Sequence, residues 1–318
     1  MCEKVLTISI AAYNSEEYIK KCLDSVLRCK NYKKLEIFVI DDGGIDKTLT
    51  IAKEYADKYP NVIIPVHKEN GGWGSTVNYS IDHATGKYFK ILDADDKFNT
   101  GEIDDYIDFL SKSDFDLIVT PYIEHNVLNN FDSYVNDKML QMHNFTVRTK
   151  LLKNNKVVIT EKCYYTDVEF VFLCLDGIKS YSNYDRYIYI YNVGFKTQSV
   201  DNSQFIKHVD EHEIVCKRVI DIYDENLNRN LVIDKKIIFY RLIELIYKHY
   251  SILFMLKISN SSLNKIKDFD IYIKKYEYLY KNITLKRLKL IRKCNILYYP
   301  ISLILHFRSY IYNKVKAI

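Results

Sequence analysis

Two clusters of carboxylates carry the strongest chemical signal in this 318-residue chain: Asp41-Asp42-Gly43-Gly44 and Asp93-Ala94-Asp95-Asp96. Each follows a short β-rich run, Leu35 to Ile40 and Tyr88 to Leu92. Each therefore stands at the carboxyl end of a predicted strand, where open α/β sheets bind their ligands. Aspartate also caps helices and opens turns, and either cluster alone could be only that. Two clusters at one sheet edge crowd several negative charges together, a repulsion that a hard divalent cation with oxygen ligands relieves. Such an ion would take phosphate oxygens and, as a Lewis acid, offset charge on a departing diphosphate. The stretch Asn70-Gly71-Gly72-Trp73-Gly74 would let backbone approach a bulky ligand, although a tight turn uses the same residues. His208 and His212 have the four-residue spacing of zinc ligands on a helix, but no third ligand is evident and no zinc site is expected there.

The elements that must position these groups alternate between strand and helix over about the first 120 residues, the signature of a parallel sheet covered by helices. Val5 to Ala11 is a continuous apolar run, as in a strand buried on both faces. Asn14 with Glu17 resembles a capping box for a helix carrying Ile19, Cys22, Leu23, Val26 and Leu27 inward. Asp46 is placed to cap a second helix with Leu49, Ala52, Ala56 and Tyr59 inward. Val62 to His67 reads as a strand, Ser75 to Ala84 as a helix, Ile103 to Leu110 as a helix and Leu117 to Ile123 as a fifth strand. Between 125 and 160 the periodicity is mixed, with strand pieces at Tyr134 to Leu140 and Val157 to Thr160. Asp167 to Leu175 reads as helix, Arg186 to Val193 as strand, and the chain from about 204 as successive helices.

Composition bounds the rest. Apolar residues at 48% and charged residues at 27% are ordinary for a globular protein and exclude a disordered or collagen-like chain. Seven cysteines without a C-x-x-C pair, and no signal-peptide apolar region after Met1, fit a reducing cytoplasm. No uncharged run reaches the roughly 20 residues of a spanning helix. The net charge of +5 is concentrated at the end, where residues 281 to 318 hold nine Lys and Arg and no acid. The remainder is net acidic, which argues against a nucleic-acid partner and makes 281–318, basic and apolar by turns, a candidate for contact with an anionic membrane or, equally, for packing on the catalytic domain.

Across about residues 4 to 200 the order of motifs resembles the family 2 glycosyltransferases, of bacterial type and GT-A fold. The motifs are Ser9-Ile10-Ala11-Ala12-Tyr13-Asn14, Ile40-Asp41-Asp42-Gly43, Glu69-Asn70-Gly71-Gly72, Gly86-Lys87-Tyr88 leading to Asp93-Ala94-Asp95-Asp96, and Thr166-Asp167-Val168-Glu169-Phe170. The resemblance implies a Rossmann-like, mostly parallel sheet with helices on both faces, followed by a helical C-terminal region. It implies a donor half over about 1–123 and an acceptor half over about 124–203, with 204–318 as the helical region. It places Ala11, Tyr13, Asn14, Asp42, Asn70, Gly71, Gly72, Asp93 and Ala94 around a nucleotide-sugar donor, UDP-linked by preference. Asp42 and Tyr13 would face the base and Asp93 the ribose. Asp95, with Asp93 and Asp96, would hold Mn2+ or Mg2+ on the diphosphate. Asp167 would deprotonate the acceptor hydroxyl in a single inverting displacement, and Lys196 would reach a donor phosphate.

Three positions depart from the family pattern: Gly44 stands where Ser is usual, Thr166 where Glu is usual, and Val77 where Arg precedes Asn. The Gln-x-x-Arg-Trp motif of processive members is absent, because the lone Trp is Trp73. The expectation is a non-processive transferase acting on a cell-envelope carbohydrate or lipid-linked acceptor, cytoplasmic and peripheral to the membrane. A catalytically impaired sugar-nucleotide-binding module and a sugar nucleotidyltransferase remain alternatives, the latter lacking its phosphate loop after the first strand.

Overall fold

The computed structural model describes residues 3–135, 140–194, 202–226 and 232–305. The chain begins with β1 (Leu6–Ala12), α1 (Ile19–Leu27), β2 (Leu35–Asp42), α2 (Thr48–Lys58), β3 (Ile63–Lys68), α3 (Trp73–His83) and β4 (Tyr88–Asp93). There follow β5 (Lys97–Phe98), α4 (Ile103–Lys112), β6 (Leu117–Val119), β7 (Tyr122–Asn126), β8 (Phe131–Val135), β9 (Phe145–Arg148), α5 (Thr149–Asn154), α6 (Thr166–Leu175), β10 (Tyr181–Asn183) and β11 (Tyr189–Val193). The remaining elements are helical: α7 (Asn202–Lys207), α8 (Val209–Asn226), α9 (Lys235–Met255), α10 (Asn260–Lys274), α11 (Glu277–Asn282) and α12 (Lys286–Lys293).

One sheet runs β10-β6-β9-β4-β1-β2-β3, and a smaller one runs β5-β11-β7-β8. In the large sheet only β9 is antiparallel to its neighbours. Strand alternation divides β1 between two faces. Leu6, Ile8, Ile10 and Ala12 join the core that α1 and α4 cover with Ile19, Leu23, Val26, Ile103 and Ile107. On the other face Ser9 donates to Ser80 of α3 at 2.8 Å. Both faces are thus buried, which is why β1 and β2 read as unbroken apolar runs.

Several local expectations change. The Asn14/Glu17 capping box does not form: Tyr18 occupies the N-cap of α1 without a side-chain bond, and Asn14 takes φ +49° with its Oδ1 accepting from Ile45 N at 2.9 Å. Lys47, not Asp46, occupies the N-cap of α2, without a side-chain bond, and Asp46 just before it accepts from Thr48 N at 2.9 Å. The fifth predicted strand is two strands in different sheets, β6 and β7, divided at Thr120-Pro121. Proline has no N–H to continue the ladder, so the chain leaves one sheet there and enters the other. Val157 to Thr160 is loop, and of Tyr134 to Leu140 the residues 136–139 lie outside the described ones.

The inserted strand β9 has its own anchor. Lys90 of β4, fully buried, donates to the carbonyls of His143 at 2.8 Å and Phe145 at 3.1 Å. Tyr106 donates to Thr146 Oγ1 at 2.7 Å. Short range periodicity cannot announce a four-residue strand held by contacts of this span.

The chain divides into two compact units, residues 1–198 with 218–238 and residues 199–217 with 239–318. Within the second, Leu242, Ile246, Tyr250, Leu253, Ile266, Phe269, Ile273, Leu288 and Ile291 form the buried set. Ser259 caps α10 by accepting from Ser262 N at 3.1 Å, a contribution of about 1 kcal/mol.

Candidate active site

Strand register fixes the site's frame. Ala11 pairs with Asp93 and Ala12 with Asp41, so β1, β2 and β4 end level and present their following loops along one edge. Tyr13, just beyond β1, is exposed at that edge.

Asp42 is buried and its carboxylate is heavily used. One oxygen accepts from Lys68 Nζ and from Gly71 N, each at 3.0 Å, and the other from Gly72 N at 2.8 Å. Asn70 Nδ2 returns a bond to the Asp42 carbonyl at 2.9 Å. Asp42 therefore organises the glycine-rich loop, and through it the start of α3. Close packing explains the glycines. A Cβ on Gly74 would lie 2.3 Å from the Thr160 carbonyl, and Gly72 sits at φ +80°. At Gly44 a Cβ would meet Asp41 Oδ1 at 2.5 Å, so serine fits only if Asp41 gives up its bond to the Gly44 amide. Val77 is fully buried in α3, which leaves no place at that position for an exposed arginine. Its neighbour Asn78 instead stitches α3 to the 159–161 loop, accepting from Ile159 N and donating to Ile159 O, each at 2.9 Å.

Asp93, at the end of β4, accepts from the Trp73 indole N–H at 2.9 Å. Burial lifts its pKa to about 7, and the charges of Asp95 and Asp167 add to the rise against the Trp73 bond. The charge at the start of α6, residue 167, is thereby felt at the end of β4. Trp73 bridges the two sides, touching Phe170 of α6 edge-on at 6.5 Å between ring centroids. Asp167 lies in the first turn of α6, behind Tyr165 at φ +67°. Two residues on, the buried Glu169 faces inward, taking Thr160 Oγ1 at 3.1 Å and Arg218 Nε at 3.2 Å.

Asp96 is buried, and both its oxygens have partners. Tyr189 donates to one at 2.6 Å and Asn192 N to the other at 2.7 Å, while Asn192 Nδ2 donates to the Asp95 carbonyl at 2.6 Å. The Tyr189 oxygen also accepts from Asp93 N at 3.1 Å. Strand β11 thereby holds the whole 93–96 turn. His143, buried among Tyr122, Tyr189 and Tyr191, has both ring nitrogens without hydrogen-bond partners. Its pKa is driven down to about 3 by burial and by Lys90. Asp93, Asp96 and His143 each offer one possible ligand atom within 4.8 Å of the others. Lys196 lies outside the described residues.

Of the residues unnoticed in the sequence, Trp73 was within reach, being the lone indole in a loop already marked as ligand-facing. Tyr189, Asn192, His143 and Lys90 gave no signal, since their partners lie some 50 to 100 residues away in sequence.

The model of "Glycosyl transferase family 2" matches residues 7–171, just over half of the chain, and includes both acidic clusters and Asp167. The chain belongs to glycosyl transferase family 2. Among curated relatives, the minor teichoic acid biosynthesis protein GgaB of Bacillus subtilis is 31% identical over 137 residues, which is 40% of this chain and 15% of that protein. A glycosyltransferase of Rickettsia typhi is 42% identical over 110 residues, 35% of this chain and 33% of its own length. The matched stretch thus spans a third or less of these relatives. Among solved structures, S. aureus TarS 1-349 in complex with UDP superposes with a TM-score of 0.66 at 19% identity, covering 97% of this chain and 92% of that one. Mannosyltransferase PcManGT from Pyrobaculum calidifontis, in complex with GDP-Man and Mn2+, gives 0.53 at 12% identity, covering 95% and 86%. At these identities the likeness is one of fold, and it is the GT-A fold that the motif order implied.

Proposed function

We propose that this chain moves a sugar from a UDP-linked donor to a hydroxyl of a cell-envelope polysaccharide or glycolipid, once per encounter and with inversion at the anomeric carbon. The observation that carries this reading is the strand register that sets the acids after β2 and β4 along one edge, beside which Asp93 is raised first by burial and further by the charges of Asp95 and Asp167. Surplus negative charge of this kind is relieved by a divalent cation. Asp95 and Asp93 would hold Mn2+ or Mg2+, which when bound supplies positive charge to a leaving diphosphate. Asp96 has its oxygens engaged by Tyr189 and Asn192, so its part is to fix the turn that aims Asp95. Ala11, Tyr13 and Asn14, with Ala94 and the Asn70–Gly72 loop that Asp42 holds, wall the donor.

Asp167 takes the proton of the acceptor hydroxyl as that oxygen forms its bond to the anomeric carbon, and the bond from that carbon to the diphosphate breaks on the opposite face. The lone tryptophan supports the non-processive reading, since its indole is committed to Asp93. GgaB's name and a TarS complex with UDP-GlcNAc support an envelope acceptor and a UDP-sugar donor. We assign catalysis to about 1–203, with donor binding over about 1–123 and acceptor binding over about 124–203, and an accessory role to 204–318.

Among the described residues no helix is long and apolar enough to cross a membrane. Exposed Leu290, Ile296, Leu303 and Ile304, with Lys286, Lys289 and Lys293 around a pocket of about 500 Å3, support peripheral contact with anionic lipid at the inner face of the membrane. Arg292 also lines that pocket, with its guanidinium bound to Asp270 at 2.6 Å.

The test is release of UDP from a panel of UDP-sugars with Mn2+ present, for wild type and Asp95→Ala. Turnover that depends on Asp95 supports the reading. A wild type that binds UDP without turnover is a binding module, and one that binds no nucleotide sinks both.

A further inference from the structure

The spacing of His208 and His212 lacked a third ligand, and the fold gives His212 different partners. His208 turns to Glu211, with 2.6 Å between Nδ1 and Oε1. One turn further along α8, Cys216 Sγ stands 3.4 Å from His212 Nδ1. His249 of α9 stacks on His212, ring centroids 5.2 Å apart and planes within 13°. Each of the three offers a ligand atom within 4.8 Å of the other two. All are sealed from solvent, Cys216 and His249 at 0% and His212 at 2% exposure.

A contact between thiol and imidazole accounts for the first pair and leaves His249 unexplained. Both of its ring nitrogens are buried without a hydrogen-bond partner, a costly arrangement for a polar ring. Its nearest acid, Glu213, has an oxygen 3.7 Å from Nε2, too long for a hydrogen bond. Tetrahedral zinc, with Zn–S near 2.3 Å and Zn–N near 2.0–2.1 Å, separates sulfur from nitrogen by roughly 3.5 Å. The spacing of Cys216 and His212 matches that edge. An imidazole donates to a metal through a neutral ring nitrogen, and the near-complete burial of both rings favours that form. The thiol proton is what a metal ion must displace.

We propose that His212, Cys216 and His249 bind a borderline-soft transition-metal ion, Zn2+ by preference, that ties α8 to α9 within the helical unit. Glu213, 3.7 Å from His249 Nε2, is the acid beside this site. Sulfur and imidazole donors select against the Mn2+ or Mg2+ that oxygen ligands favour, so this site and the donor site discriminate between metals.

The full chain, stripped with a chelator and titrated with Co2+, is expected to show tetrahedral d–d absorption and a thiolate-to-cobalt band that saturate at one ion per chain and are displaced by Zn2+. Zn2+ at about a hundredfold over Kd is expected to raise Tm by about 5 °C. The band should vanish in Cys216→Ser and persist in Asp95→Ala, which removes an oxygen ligand of the donor site and no sulfur. No thiolate band in folded wild type, or a band that survives in Cys216→Ser, overturns the proposal. Should Cys216→Ser not fold, the wild-type titration decides alone, and it is independent of whether the chain transfers sugar.

Discussion

The edge of the large sheet and the helical unit use buried charge in opposite ways. In the helical unit charges are matched: Asp270 takes Arg292 Nη2 at 2.6 Å and the Tyr250 hydroxyl at 2.7 Å, and Glu213 pairs with Lys217 at 2.6 Å. At the sheet edge carboxylates face one another, and Asp93 is offset by a neutral indole rather than a cation. The sheet itself supplies a contrast in another buried acid, Glu36, whose oxygens accept from Thr7 Oγ1 and Thr85 Oγ1 at 2.6 Å each. Paired charge fixes packing, whereas accumulated like charge is tolerated where a ligand compensates it.

The sharpest way to break this contrast is to empty the edge. Asp95→Ala is expected to lower transfer by roughly 10^3-fold or more, the worth of several kcal/mol of charge stabilisation, with Tm unchanged or higher because a like charge has gone. Steady-state UDP release and a thermal melt read both halves. Asp167→Asn is expected to cost kcat about 10^2- to 10^3-fold while KM for the donor holds, since the base acts on the acceptor; a rise in donor KM alone would remove it from that role. In the helical unit the loss should be stability instead. Arg292→Ala leaves Asp270 unpaired in a largely buried position and is expected to cost about 2 kcal/mol in urea unfolding, with activity per folded molecule unchanged.

Subtler changes test the coupling inside the edge. Trp73→Phe removes the N–H donated to Asp93 and is expected to cut kcat/KM about tenfold, with its pH profile displaced upward because an acid stripped of a donor ionises later. The smallest effect is reached by pH alone. The folded pKa of Asp93, about 7, lies above its ordinary 3.8, so the stability contributed by its proton is complete below 3.8 and lost as pH rises through about 7. Proton and cation compete for that carboxylate. Mn2+ affinity, followed by calorimetry, should fall about tenfold per pH unit below 7; a flat profile would separate Asp93 from the metal.

Strands β1, β2 and β4 were legible in the sequence because each is buried along nearly its whole length, and helices α1 and α4 because each carries a clean apolar stripe, as β1 with Ile8 and Ile10 and α1 with Cys22 and Val26 show. Legibility ended where structure depends on distant contacts. Strand β9 exists by pairing with the distant β4 and β6, with Lys90 bound to the carbonyl at its start, and the long predicted strand broke at Pro121, which moves the chain from one sheet to the other.

The sequence by itself determined the alternation from β1 to β4, the family and the placement of acids at strand ends, since all three follow from local periodicity and short motifs. Tertiary structure alone decided which acid does what. Asp42 ties down a glycine loop, Asp96 is spent on Tyr189 and Asn192, and Asp93 feels Asp95 and Asp167 together. The role of a carboxylate is set by the donors and charges that three-dimensional packing brings within a few ångströms, and those neighbours come from anywhere in the chain.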